Sequence, residues 1–487
     1  MKHYDQLSAN FINGEWVESA GTESIAVINP ATGEEFGHFI ESTPEEVAQS
    51  LAAARAAQPA WGAAPLEDRI TVIENFATLV EANMEELARM RTSALGAPFA
   101  SSLTLSNSLD LLRMYVESVR KVEFRQVRSD SFGTAIVERR PVGVVAGIVP
   151  WNVPVRNEIK KLIPALITGN AVVLKASPQS PFVGAALVDL LTEAGVPAGV
   201  VGLVSGGAKV GEAMVTDPNT DKIAFTGSTA AGRRIAELAG PLLKRVQLEL
   251  GGKSAAIVLP DADLQTVVDS MMIFGYANSG QICASLSRLI LPEERHDEIV
   301  EALKERIAAF RPGDPYDSNA NLGPVISSHH RDWVDQLVKD TVAAGATAET
   351  GGAPALDAGP GWFYQPTLLT GVRPGMRSFD EEIFGPVLSV IRYAGEDEAV
   401  EIANNSEYGL HGAVFGADAA EAYRVGRRIH TGTLAVNSFD VPLSAPFGGV
   451  KCSGLGRENG VEGFDEYLEY HTYKFPNEET ARAVVHI

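Results

Sequence analysis

The chain has 487 residues, 45% apolar and 21% charged, the composition of an ordinary globular protein with room for two or three domains. A formal net charge of −22, spread without any long acidic run, repels phosphate backbones and argues against a nucleic-acid partner. Only two cysteines occur, Cys283 and Cys452, which fits a reducing, cytoplasmic setting and not a disulfide framework.

In chain order, residues Met1 to Ser8 lack the apolar core of a signal peptide. Thr43-Pro44-Glu45-Glu46 opens a helix, with Thr43 and Glu46 as a capping-box pair and proline at the first helical position. Ile70, Ile73, Ala77 and Val80 recur at helical spacing and predict one buried face. Thr134 to Arg140 reads as an extended strand projecting from the body. Strands are then predicted at Val142–Val149, Ala171–Leu174, Val200–Val204, Lys222–Phe225 and Ser254–Leu259. The first lies between Pro141 and Pro150 and is far too short to span a bilayer, so no membrane association is expected.

Each run is nearly continuous in apolar or β-branched residues, as in parallel strands covered on both faces. Helical segments separate most of them, and glycines follow two strand ends. The pattern predicts an α/β fold with a Rossmann-like dinucleotide domain, its ligand at the carboxyl ends of the strands. A second α/β region follows, and Gly351 to Trp362 is expected as a surface loop. The predicted limits are 1–123 with 141–250 for the first domain and 251–452 for the second. Residues 124–140 and 468–487 belong to neither core.

Two side chains carry the chemistry. Cys283 lies in Ser279-Gly280-Gln281-Ile282-Cys283-Ala284, where glycine permits close approach of other groups. A lone cysteine is ordinarily a small buried hydrophobe. Glu249 closes the alternating run Val246 to Leu250, just before Gly251-Gly252, where a strand can stop and expose a carboxylate. A thiol that attacks a carbonyl and a carboxylate that activates water are what a thioester-forming enzyme needs. Asn152 sits between Pro150 and Pro154, by default a turn. Phe225 to Gly232 carries Gly-x4-Gly, weak by itself. After a strand and before a helix it becomes a phosphate site at a helix N-terminus. Cys452 lies in a glycine-rich turn with no assigned role. No His/Cys cluster has metal-ligand spacing, so no metal is expected.

These segments resemble those of non-acylating aldehyde dehydrogenases over essentially the whole chain, and the interval between Glu249 and Cys283 matches too. So do Glu381 to Val387, Ala403 to Leu410 and Pro446 to Gly454. The resemblance implies oxidation of a small-molecule aldehyde to its acid with NAD or NADP and water. Cys283 forms a thiohemiacetal and then a thioester. Asn152 and the Cys283 N–H form the oxyanion hole, Glu249 activates the hydrolytic water, and Lys161 and Glu458 assist proton movement. Around the nucleotide it places Val149, Trp151, Lys175, Gly207, Gly211, Phe225, Thr226, Gly227, Ser228 and Leu250. Glu382 and Phe384 hold the nicotinamide ribose and ring. The substrate tunnel takes Val153, Arg156, Asn157, Ile282 and Ala284. A homodimer or homotetramer is implied, with residues 124–140 and 468–487 as a small β extension at the interface.

Two rivals are a coenzyme A-acylating dehydrogenase, against which Glu249 argues, and a non-redox Cys hydrolase or silent scaffold on the same fold. The chain also departs from the family pattern. Lys175 to Pro181 contains no carboxylate, although many NAD-preferring relatives carry a glutamate there. With a cation and no anion nearby, NADP is expected to be accepted alongside NAD. Arg156, Asn157 and Lys160 replace residues that are often apolar or aromatic. Either the cations pair with Glu158 or neighbouring surface acids, or Arg156 meets the far end of a polar or acidic aldehyde.

Overall fold

The computed structural model describes residues 5–102 and 106–485; the outermost parts of the expected segments, residues 1–4 and 486–487, lie outside it. Strands β1 (Ala9–Ile12) and β2 (Glu15–Glu18) form a hairpin around Asn13-Gly14. Both turn residues have positive φ, as a two-residue hairpin loop requires. Helix α1 (Pro44–Ala63) starts at the expected capping box. Thr43 Oγ1 accepts from the Glu46 N–H at 3.2 Å, and the Glu46 carboxylate accepts from the Thr43 N–H at 2.8 Å. Such a cap is worth about 1 kcal/mol. In α2 (Leu66–Ala82), Ile70, Ile73 and Val80 are buried, with Phe76 in place of Ala77 as the fourth core residue. Ala77 lies at the edge of that face and is only partly covered.

The buried β-branched runs form five parallel strands, β3 (Val144–Ile148), β4 (Ala171–Lys175), β5 (Val201–Val204), β6 (Lys222–Thr226) and β7 (Arg245–Glu249). Their spatial order is β5-β4-β3-β6-β7. The order reverses between β3 and β6, and in doubly wound sheets ligands bind beyond the carboxyl ends at that reversal. Register keeps those ends level: Ile148 stands opposite Lys175 and Phe225, and Thr226 opposite Glu249. Helices α3 (Arg156–Ile167), α4 (Ala208–Thr216) and α5 (Thr229–Ala239) begin just past the carboxyl ends of β3, β5 and β6.

The predicted run Val142–Val149 narrows to β3 because Gly143 takes φ +126 and leaves the strand geometry. The run Ser254–Leu259 does form a strand, β8 (Ala255–Val258), but it belongs to a second sheet. Gly251-Gly252 separates it from β7. A Cβ at Gly252 would stand 2.3 Å from the Cys283 carbonyl oxygen, so the chain passes the site where only glycine fits. In this second sheet β8 lies between β9 (Arg288–Pro292) and β10 (Gly412–Phe415), parallel to both. A late segment, Gly454–Leu455, returns to pair antiparallel with β7, placing Gly454 opposite Glu249.

The projecting strand predicted at Thr134 to Arg140 is β11 (Gly133–Pro141), paired antiparallel with Arg125–Asp130 on one side and Leu468–Phe475 on the other. Among the described residues, no helix is long and apolar enough to cross a membrane.

Candidate active site

A cavity of about 710 Å³ opens at the strand-order reversal. Its walls come from the turn after β3 (Trp151, Asn152, Val153), the turn after β6 (Thr226, Gly227, Ser228) and the end of β7 (Glu249, Leu250). The second sheet's side adds Ile282, Cys283, Ala284, Glu382 and Phe384.

The loop carrying Cys283 follows the helix Leu264–Tyr276 through three consecutive left-handed residues, Asn278 (φ 52), Ser279 (φ 57) and Gly280 (φ 72). Such backbone persists only where surroundings over-determine it. Here the Asn278 amide donates to the Asn152 carbonyl at 2.9 Å, and Ser279 Oγ donates to the Gly323 carbonyl at 2.7 Å. Gln281 donates to the Asn278 carbonyl at 3.0 Å and accepts from the Ile326 N–H at 2.9 Å. Burial pushes the Cys283 thiol up to about 12; the Lys160 ammonium opposes this, while Glu382, Glu249 and Glu458 add to it. Cys283 therefore rests as a thiol.

Asn152 is held from the other side. Val155, buried and β-branched, adopts φ +75 and ψ −58, a strained geometry that turns the chain from Asn152 into α3. Asn152 Nδ2 donates to the Gln281 carbonyl at 2.9 Å, and its Oδ1 accepts from Asn157 Nδ2 at 3.2 Å. Asn157, expected as a tunnel residue, lines the cavity and also orients this amide. An amide nitrogen has two hydrogens, so one remains for an oxyanion.

The acid–base groups are arranged differently. Both carboxyl oxygens of Glu249 are buried with no hydrogen-bond partner. Burial raises its pKa well above the ordinary carboxylate value, and Glu458 adds to the shift; Lys161, Lys160 and Arg457 oppose it. Glu458 takes the opposite course. Burial pushes it up, but Lys160 at 2.8 Å and Lys161, in direct contact with the other oxygen, bring it down to about 2. Lys160 also stands 4.9 Å over the Phe447 ring. Of the partners offered to Lys160, Glu158 or a neighbouring surface acid, neither is the one found. Glu158 is buried elsewhere, pushed up to about 8 by desolvation, and Lys160 serves Glu458 instead. Lys161 lies behind Glu458 and is fully buried.

Among the cofactor candidates, Trp151, Thr226, Gly227, Ser228, Leu250, Glu382 and Phe384 line the cavity. Ser228 caps α5, its Oγ accepting from the Ala231 N–H at 3.2 Å. Phe384 (φ 53) packs edge-on to Trp151 at 5.6 Å, and its carbonyl accepts from His330 Nε2 at 2.7 Å. Glu382 accepts from the Gly252 N–H at 3.0 Å and burial raises it to about 7. A Cβ at Gly251 would come within 2.3 Å of Glu382, so the carboxylate fills a glycine cradle. A helix N-terminus at a strand-order reversal, facing a carboxylate, fits a dinucleotide with its phosphates and ribose hydroxyls.

Val149, Lys175, Gly207, Gly211 and Phe225 lie outside the cavity lining. Lys175 turns its ammonium onto the Gly206 carbonyl at 2.8 Å, and burial lowers it to about 8. The expectation that no anion stands nearby is corrected here. Glu41, from just after the strand Glu35–Ile40, acts on the Lys175 charge and accepts from the Gly207 N–H at 2.7 Å. No local signal in Lys175 to Pro181 announces it.

The tunnel candidates Val153, Arg156, Asn157, Ile282 and Ala284 all line the cavity. Sequence reasoning missed the stacked pair Phe274 and Phe439, with ring centroids 3.8 Å apart, and His411 edge-on to Phe439 at 4.7 Å. They converge from distant segments with no shared motif. Among the described residues, no group of three or more His, Cys, Asp or Glu side chains could hold a metal ion.

The family model for the aldehyde dehydrogenase family matches residues 16–473. The chain is 42% identical over 465 residues to geranial dehydrogenase of Castellaniella defragrans, covering 94% of this chain and 97% of that one. It superposes with TM-score 0.95 and 36% identity on a Mycobacterium tuberculosis aldehyde dehydrogenase complexed with NAD+, covering 97% and 99% of the two chains. An NADP-dependent enzyme of E. coli matches with TM-score 0.93 and 33% identity over 96% and 98%. The chain belongs to the aldehyde dehydrogenase family, an oxidoreductase that converts an aldehyde to its carboxylic acid with NAD or NADP.

Proposed function

We propose that Cys283 is the nucleophile, Asn152 the oxyanion donor and Glu249 the base of a two-step oxidation. The observation that carries this reading is the convergence of all three on one cavity at the strand-order reversal. Cys283 passes its proton to a water molecule in the cavity as its sulfur bonds to the aldehyde carbon. The carbonyl oxygen becomes an alkoxide between Asn152 Nδ2 and the Cys283 N–H; such a donor is worth roughly 3–4 kcal/mol. A bound NAD or NADP supplies the acceptor for the hydride leaving that carbon. The thioester then meets a water whose proton passes to ionised Glu249. The new C–O bond replaces the C–S bond and the acid leaves. The Lys161–Glu458 pair beside Glu249 takes the proton onward toward solvent.

The reading assigns residues 1–123 and 141–250 to cofactor binding and 251–452 to catalysis. The three-stranded sheet of residues 124–140 and 468–487 serves assembly into a dimer or tetramer. Its two outer strands have free edges, and Tyr470 is exposed on it. Two free cysteines, one of them the nucleophile, fit a reducing, cytoplasmic setting. NADP is accepted, but Glu41 favours NAD by repelling a 2′-phosphate brought near Lys175. Glu41→Gln is expected to shift the ratio of NADP to NAD dissociation constants toward NADP by roughly tenfold, about 1.4 kcal/mol. An unchanged ratio counts against this preference.

The test of the reaction is reduced-cofactor absorbance with a panel of aldehydes, with and without coenzyme A. Turnover that vanishes in Cys283→Ala and needs no coenzyme A supports it. Acyl-coenzyme A formation, or ester hydrolysis without cofactor reduction, refutes it.

A further inference from the structure

Arg156 is, among the described residues, a charged group without a partner. It lines the catalytic cavity, and among the described residues it makes no hydrogen bond or ion pair. The acids that act on it are poor partners. Glu458 is already bonded to Lys160 and Lys161, and Asp440 stands exposed at the cavity wall. Glu158, two residues on, is buried and holds its proton.

Nor does the fold need a cation there. Arg156 is the first residue of α3, where the helix macrodipole is positive and an arginine is disfavoured. Desolvating a guanidinium without a partner is costly, and a carboxylate relieves that cost by a bidentate pair. Lys160 lines the same cavity, and with Lys161 it outnumbers the single carboxylate of Glu458 to which both are paired. The cavity is also lined by apolar Phe274, Phe439, Val153 and Ile282, which suit a hydrocarbon spacer.

Resting on the reaction proposed above, we infer that the substrate is an aldehyde bearing a carboxylate at its far end, an ω-oxo acid, and that Arg156 recognises the carboxylate. The same charges reject aldehydes carrying a quaternary ammonium group.

The test compares ω-oxo acids of graded length with their methyl esters, the matching n-alkanals and a trimethylammonium aldehyde. The acid of best length is expected to exceed its methyl ester by about 10–100-fold in kcat/KM, carried by KM, since a hydrogen-bonded charge pair is worth that much. Arg156→Met brings the ratio near one, and Arg156→Lys restores part of it. A readout free of turnover is calorimetry of the product dicarboxylate binding to Cys283→Ala, alone and with Arg156→Met added. Binding weakened at least tenfold by Arg156→Met supports the inference. Equal use of acid and ester at every length, or dicarboxylate binding indifferent to Arg156, overturns it while leaving aldehyde oxidation intact. Absence of any aldehyde oxidation would refute the reaction instead, and the calorimetry still decides the role of Arg156.

Discussion

The two sides of the catalytic cavity are built on opposite terms. Around Cys283 and Asn152 the polar groups are bonded to one another, and four non-glycine or glycine residues sit at positive φ to make that possible: Val155, Asn278, Ser279 and Gly280. Glu249 and Arg156 themselves are buried or half-buried and, among the described residues, bonded to nothing. The difference fits the roles proposed for each group. Oxyanion donors work by being in place before charge develops, so rigidity helps them. A base must gain and lose a proton, and a substrate anchor must await its ligand, so a standing partner would compete with either.

The comparison breaks most directly at the rigid side. Asn152→Ala is expected to lower kcat by about 10²–10³ with little change in melting temperature, as loss of one oxyanion donor does. A stopped-flow measurement of the first turnover should show the whole loss in acylation. A loss confined to KM would mean that Asn152 is merely part of the wall.

Between the two sides stands the Lys160–Glu458–Lys161 cluster. Glu458→Gln leaves two ammonium groups buried or half-buried without their counter-ion, which costs about 3–5 kcal/mol in urea unfolding at neutral pH. Because the folded pKa of Glu458 lies below the ordinary 4.5, its contribution is present above that pH and is lost as pH falls toward about 2. The gap between wild type and Glu458→Gln should therefore close with acid.

Glu249 gives the opposite sign. Its folded pKa is raised, so its contribution to stability is present below 4.5 and lost as pH rises through the folded value. Steady-state turnover should climb with pH through the same range, because only the ionised form takes a proton from water. Glu249→Gln is expected to release one equivalent of reduced cofactor per site in a burst, turn over slowly afterwards, and melt higher than wild type at pH 8. A variant that lacks the burst would place the lesion before the thioester.

The smallest effect sharpens the contrast. Asn157→Leu removes the single hydrogen bond at 3.2 Å that sets which end of the Asn152 amide faces the cavity. One such bond is worth about 1 kcal/mol, so roughly a fivefold drop in kcat is expected. No drop would show that the Gln281 carbonyl alone suffices.

Much of this site is legible in short segments. Cys283, Glu249 and Asn152 each sit at the end of a local signal: a glycine loop, an alternating strand before Gly251-Gly252, a proline-bounded turn. The parallel strands are legible as β-branched runs because both faces are buried. The run at Ala255–Val258 looks the same as those runs yet belongs to the other sheet, since local pattern carries no record of which sheet a strand joins.

Contacts between distant segments were not legible, although the resemblance names both Lys161 and Glu458. Lys161 and Glu458 are 297 positions apart, and the Phe274–Phe439 stack and the Glu41 carboxylate beside Lys175 also join distant segments. The loop Lys175 to Pro181, read by itself, contains no anion, and the folded chain supplies one from elsewhere. Sequence alone determined the elements, because backbone periodicity and turn chemistry act over a few residues, while the resemblance to a family pointed to Cys283, Glu249 and Asn152 as nucleophile, base and oxyanion donor. Tertiary structure alone decided the charge state of each group and which of them remain unpaired, because desolvation and Coulomb interactions depend on distance in space.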